Sequence, residues 1–75
     1  MSELSELQKV VLSGMFEIRD YIGGGSIGIV GTIRCIFAVD KATLRESTYM
    51  TAKKLFRLNE KDQVEVIKVF IDESL

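Results

Sequence analysis

Three consecutive glycines at positions 23–25 form the strongest break in this chain, which contains no proline. Glycine weakens a helix interior and is favoured just after a helix end, so these residues predict the end of the helix before them. A second break is predicted at 57–59, where a turn separates two helical patterns. The 75 residues therefore divide into short segments that suit one small domain, without internal repeats.

The segment before the glycines predicts an amphipathic helix over about 3–22. Its apolar side chains recur three or four residues apart and share one face of such a helix. They are Leu4, Leu7, Val11, Met15, Ile18 and Ile22. Ser5 followed by Gln8 has the spacing of a capping box, and Ser2 is the competing start.

Two more helices are predicted in the C-terminal half, over about 41–57 and 60–74. Asp40 occupies the N-cap position of the helix predicted over 41–57, whose apolar residues fall within one arc of the helical wheel. Asn59 occupies the N-cap position of the second, and acidic residues follow in its first turn. Apolar and charged residues occupy opposite sides of this last helix, as expected when one side is buried.

The run 26–39 is the ambiguous part of the chain. Its apolar side chains would point to every side of a helix, while its β-branched residues and rough alternation of polar and apolar positions favour a strand. A turn at Gly31 and Thr32 would divide it into a short hairpin. The alternative is a buried helix, in which Gly28 and Gly31 allow close packing. The predicted fold class is therefore mainly α, with three helices and a short β element or hairpin at 26–39, or all-α if that run is a helix.

The composition removes most catalytic and metal chemistry. There is no histidine and only one cysteine, Cys35, so the usual four-ligand zinc sites and the histidine-dependent nucleophiles cannot be assembled. The pattern G-x-G-x-x-G at positions 23, 25 and 28 follows a predicted helix rather than a strand, which favours a helix stop over a nucleotide loop. We therefore expect a protein that is not an enzyme and uses no cofactor or metal.

The single thiol and a start without the basic and apolar regions of a signal peptide predict a cytoplasmic protein. The longest apolar stretch, at 27–39, is shorter than the roughly 20 residues that a spanning helix needs. We therefore expect no membrane partner.

Leu12 and Phe16 form a pair four residues apart, away from the main apolar stripe of the first helix. They either complete one small core or contact another chain. Arg45 falls within the apolar arc of the helix predicted over 41–57. Either its aliphatic chain covers the core, or its guanidinium binds a partner. The leading hypothesis is a small homodimeric regulator or inhibitor that acts by protein–protein interaction. Its candidate partner-binding residues are Leu12, Phe16 and Arg45.

The order of strand, helix, turn and helix over 32–75 resembles the ribbon-helix-helix layout of small dimeric DNA-binding proteins. The resemblance implies a two-chain ribbon in the major groove, whose outward side chains read bases. In this chain they would be Thr32, Arg34 and Ile36. The alternative function is thus a dimeric DNA-binding transcriptional regulator, which ranks second because the formal net charge is −1. Its candidate nucleic-acid-binding residues are Arg34, Lys53, Lys54 and Arg57.

Overall fold

A computed structural model describes residues 3–37 and 46–75 of the chain. These residues form four helices, which are α1 (Glu6–Ile22), α2 (Gly25–Ile36), α3 (Glu46–Leu55) and α4 (Glu60–Ser74). Neither described range contains a strand. The all-α alternative is therefore confirmed, and the predicted β element or hairpin at 26–39 is wrong as far as Phe37.

The first helix begins and ends where local chemistry predicts. Ser5 is the N-cap, and the capping box is complete, because the Gln8 N–H donates to Ser5 Oγ at 3.2 Å and the Ser5 N–H donates to Gln8 Oε1 at 2.8 Å. The start thus lies a few residues after the predicted position 3. At the other end Gly23, with a φ of 135°, donates its N–H to the Arg19 carbonyl oxygen. Glycine adopts such a positive φ without the steric cost that other residues meet.

The fourth helix agrees with the prediction at both ends. Asn59 is its N-cap, and the Asn59 Oδ1 accepts a hydrogen bond from the Asp62 N–H at 2.8 Å. The third helix ends at Leu55, two residues before the predicted end. The predicted N-cap Asp40 and the first predicted turn of that helix lie outside the described residues.

The first helix lies at the centre and packs against each of the other three. It runs in the same direction as α4, because contacts pair the start of α1 with the start of α4 and the end with the end. Gln8 Nε2 donates to the Asp62 carbonyl oxygen at 3.2 Å, and Arg19 Nη1 donates to Ser74 Oγ at 2.9 Å. All four helices contribute to one apolar core. Its buried members are Val11, Met15, Ile18, Ile29, Ile36, Ala52, Leu55, Leu58, Val66 and Phe70.

The second helix forms despite its strand-like sequence because its small residues allow close packing on α1. A Cβ added at Gly28 would lie 2.8 Å from Arg19 Cγ and 3.1 Å from the Arg19 carbonyl oxygen. Thr32 is fully buried beside this contact, and its hydroxyl donates to the Gly28 carbonyl oxygen at 2.6 Å. An isolated two-stranded hairpin is marginally stable, whereas a helix satisfies its backbone groups internally. Tertiary packing therefore overrides the strand propensity of this run.

Candidate interaction surface

The outer side of α2 presents large apolar side chains to the solvent. We define the α2 face as Ile27, Val30, Arg34 and Phe37, joined by Phe56, which follows α3. The first four residues are spaced by three, four and three, so they share one side of the helix. Ile27 is 77% exposed and Val30 is 55% exposed. A helix that is apolar on all sides is normally buried on all sides, so this exposure is unusual.

Ile27 and Val30 lie outside because Gly28 and Thr32, together with Ile29 and Ile36, occupy the packed side of α2. Gly28 contacts α1 at Arg19, and a Cβ at Gly31 would lie 2.9 Å from Ile22 Cδ1. Rotating α2 by half a turn about its own axis would place Ile27 and Val30 against α1, where the glycines now have only a hydrogen atom as side chain. The close contact with α1 therefore determines which side of α2 faces the solvent.

Two aromatic rings extend the α2 face to the end of α3. The centroids of Phe37 and Phe56 are 5.5 Å apart, with the ring planes at 67°. This edge-to-face geometry is one that aromatic pairs favour. Both rings remain about half exposed, so each keeps surface that another molecule could cover.

The α2 face contains one cation, Arg34, and none of its five residues is a carboxylate. The helix itself contains no acidic residue, and Arg34 is exposed with no ion pair or hydrogen bond to another described residue. Lys53 and Arg57 are exposed on either side of Phe56 in the sequence. The surface thus combines exposed apolar side chains with cations. Part of it is a hollow of about 410 Å³, lined by Ile22, Ser26, Ile27, Val30, Gly31 and Arg34.

A second surface has the opposite charge. We define the acidic groove as the space of about 500 Å³ between the start of the chain and α4, lined by Glu3, Leu4, Lys9, Glu65, Val69, Asp72 and Glu73. Four of these seven residues are acidic, and Lys9 is paired with Glu6, outside the groove, at 3.8 Å. The groove is therefore lined by the apolar side chains of Leu4 and Val69 and by a majority of acidic side chains.

A buried glutamine, Gln8, connects α1 to α4 beside the groove, and the sequence analysis did not predict this contact. Gln8 is only 2% exposed, and its Nε2 donates to Glu65 Oε1 at 2.8 Å as well as to the Asp62 carbonyl oxygen. Since its Oε1 also completes the capping box, the side chain links the start of α1 to the first turns of α4. The sequence signal was limited to the cap, because no local pattern reveals a contact across 54 residues.

Two of the three predicted partner-binding residues, Leu12 and Phe16, lie on α1 and are not part of the α2 face. Leu12 and Phe16 are partly buried and pack against the core, which agrees with the first of the two roles predicted for them. The Phe16 ring centroid lies 5.6 Å from that of Phe70, and the Arg19 guanidinium carbon lies 4.8 Å from the Phe16 centroid. Arg45 lies outside the described residues. The role of these residues in partner binding stays a prediction.

The predicted DNA-reading arrangement is not present in the described residues. Thr32 and Ile36 are buried, so they cannot read bases from the outside of a ribbon. Arg34 lies on a helix rather than a strand. Lys53 and Arg57 are exposed near the end of α3, while Lys54 is half-buried.

The other candidate sites in the described residues are a metal site, the thiol of Cys35 and the glycine pattern. Among the described residues, no group of three or more histidine, cysteine, aspartate or glutamate side chains is placed to hold a metal ion. Cys35 is a free thiol that is half-buried. Gly23 of the glycine pattern ends α1, as the helix-stop interpretation predicted, while Gly25 and Gly28 lie within α2. None of the helices in 3–37 and 46–75 is long and apolar enough to cross a membrane.

Comparisons of the chain with protein-family models, with curated proteins and with solved structures found no match. The fold and surfaces define a small all-α protein with one basic apolar face and one acidic apolar groove.

Proposed function

We propose that this protein is a non-enzymatic regulator that acts by binding a protein through its α2 face. The observation that carries the proposal is the exposure of Ile27 and Val30 on a helix that is apolar on every side. Covering apolar surface contributes about 25 cal/mol per Å² to association. The α2 face therefore offers a favourable free energy that only a partner can realise.

The composition of the α2 face supports a protein partner. Aromatic and arginine side chains are enriched at the centres of protein interfaces and carry much of their binding energy. Phe37, Phe56 and Arg34 provide both kinds. Leu12 and Phe16 are a weaker basis for the interaction than the sequence suggested, because their packing against the core would have to open before a partner could cover them.

Site-specific cross-linking tests this proposal. A photoreactive amino acid is placed at position 27 or 30 on the α2 face, and at Val64, which is 57% exposed on α4, as the matched control. In cells that produce the protein, we expect cross-linked products from positions 27 and 30 and none from 64. The products are then sized and identified by mass spectrometry.

The double variant Ile27→Gln with Val30→Gln completes this test. It should remove the interaction without lowering the melting temperature, because both side chains lie outside the core, and Val64→Gln should change neither. Equal cross-linking at all three positions, or a double variant that binds as well as the unaltered protein, would contradict the proposal.

DNA binding is the second candidate function, and the exposed cations near Phe56 favour it. Contacts to phosphates release counterions, so duplex affinity should fall steeply between about 50 and 200 mM salt. If the protein binds DNA in this way, Arg34→Ala and Arg57→Ala should each weaken binding to a labelled duplex and reduce the salt slope. A protein partner held mainly by apolar contacts should show a much weaker salt dependence.

A further inference from the structure

We infer that the partner of the α2 face is a second copy of this chain, whose acidic groove receives it. This inference rests on the proposed function, since it names what covers the α2 face. The result is self-association in which each molecule offers its face to one neighbour and its groove to another.

Charge complementarity carries the inference. The α2 face has no carboxylate, and Arg34 has no partner among the described residues of its own chain. The groove places Asp72 and Glu73, both outside the core, beside the half-buried Val69. Oppositely charged surfaces attract and align, whereas facing like charges disfavour binding. Arg34 of one copy therefore finds in the groove of another the carboxylates with which no described residue of its own chain provides it.

The apolar parts of the two surfaces are complementary as well. The α2 face presents Ile27 and Val30 on the exposed side of a single helix, and the groove is lined by Leu4 and Val69 as well as by acidic side chains. Burying these side chains against each other supplies the main free energy, and the charges determine orientation. Pairing two α2 faces directly would cover the same apolar side chains but would bring the cations of both copies together.

The inferred contact joins two different surfaces, and with one such contact for each pair of molecules it is heterologous. Contacts of this kind form rings when the rotation closes and open chains when it does not. Blocking one surface on each of two molecules should then leave a single productive contact between them. This property gives the inference a specific test.

The test uses three forms of the full chain. The first is unaltered, the second carries Val30→Gln with Arg34→Gln and so lacks a working face, and the third carries Asp72→Lys with Glu73→Lys and so lacks a working groove. Sedimentation equilibrium from roughly 10 µM to 1 mM covers the range of weak association. We expect the average mass of the unaltered chain to rise at least about twofold above 8.4 kDa. Each variant alone should stay at the monomer mass.

Mixing the two variants is the decisive step. The third form keeps its face and the second keeps its groove, so an equimolar mixture should form a complex of two chains that grows no further. Circular dichroism checks that both variants remain helical, and Asp72→Asn with Glu73→Gln provides a milder groove variant. The milder variant should reduce association without abolishing the fold.

Three outcomes would overturn the inference. One is a monomer mass for the unaltered chain at every concentration, and another is self-association by the groove variant alone, which would mean that two α2 faces pair. The third is a mixture that stays monomeric. If the chain is monomeric but cross-linking at position 30 captures a different protein, this inference fails and the proposed function stands. If position 30 also gives no product, both fail.

Discussion

The second and fourth helices are stabilised by different features of their sequences. In α4 the side chains divide the helix into an apolar and a charged side, and Asn59 caps its start. In α2 the apolar side chains lie all round the helix, and its N-cap Gly24 makes no side-chain cap hydrogen bond. Large apolar residues mark the buried side of α4, whereas α2 buries the small residues Gly28 and Thr32 together with Ile29 and Ile36. In α2, isoleucines therefore occur both in the core and on the surface, so an apolar side chain does not by itself identify the buried side.

The largest expected difference separates two phenylalanines. Phe70 on α4 is fully buried, so Phe70→Ala should destabilise the protein by about 4 kcal/mol, through lost burial and the cavity that remains. Phe37 is about half exposed, and Phe37→Ala should cost about 1 kcal/mol or less, mostly through the lost contact with Phe56. Urea denaturation measures both. Equal losses would mean that the α2 face is part of the core.

Two isoleucines of α2 provide the next comparison. Ile29 is 7% exposed, and Ile29→Ala should cost about 3 kcal/mol. Ile27 is two residues away and mostly exposed, so Ile27→Ala should change stability by about 0.5 kcal/mol at most. Both variants remove the same atoms from the same helix, so the difference between their thermal unfolding curves reports which side is buried. The reverse order would show that α2 packs with its other side inward.

Two glycines of α2 test the close contact with α1. Gly28→Ala should destabilise the protein by about 2 kcal/mol, because the new methyl group meets the Arg19 backbone. Gly31→Ala meets side-chain atoms of Ile22 and no backbone atom, and it gains about 0.5 kcal/mol of helix propensity, which offsets the cost of shifting that side chain. We therefore expect a net effect near zero at Gly31. If both variants melt at the same temperature, close packing does not orient α2.

The cap of α4 has the smallest expected effect. Asn59→Ala should cost about 1 kcal/mol, because the Asp62 N–H loses its acceptor, while Asn59→Gly should cost only a few tenths. Melting temperatures of the two variants compare these effects directly. An alanine variant as stable as the glycine variant would contradict the role of Asn59.

The sequence predicted the parts of the fold that local chemistry controls. The capping box of Ser5 and Gln8, the stop at Gly23 and the cap at Asn59 each depend on residues within a few positions of one another. The amphipathic patterns of α1 and α4 were equally readable, because each has a distinct apolar side. For 26–39 the same method favoured a strand, since the run has no distinct apolar side and its residues have high strand propensity.

The candidate surfaces were less predictable than the helices. Leu12 and Phe16 stood out from the main apolar stripe of α1, but both pack against the core, where the Phe16 ring meets Phe70 of α4. The sequence did contain a signal for the orientation of α2, because Gly28 and Thr32 are one helical turn apart and mark its packed side. The strand prediction for 26–39 did not use this spacing. The acidic groove joins residues from both ends of the chain, and no local pattern could have paired them.

The sequence by itself determined the helix boundaries that local caps set, at Ser5, Gly23 and Asn59, and it showed that the run 26–36 has no distinct apolar side. These properties depend on the residues present and on short-range hydrogen bonds. Only the tertiary structure decided that this run is a helix and which of its sides faces the solvent. The physical reason is that Gly28 and Gly31 allow α2 to approach α1 closely, and a distance between helices is not a property of either segment alone.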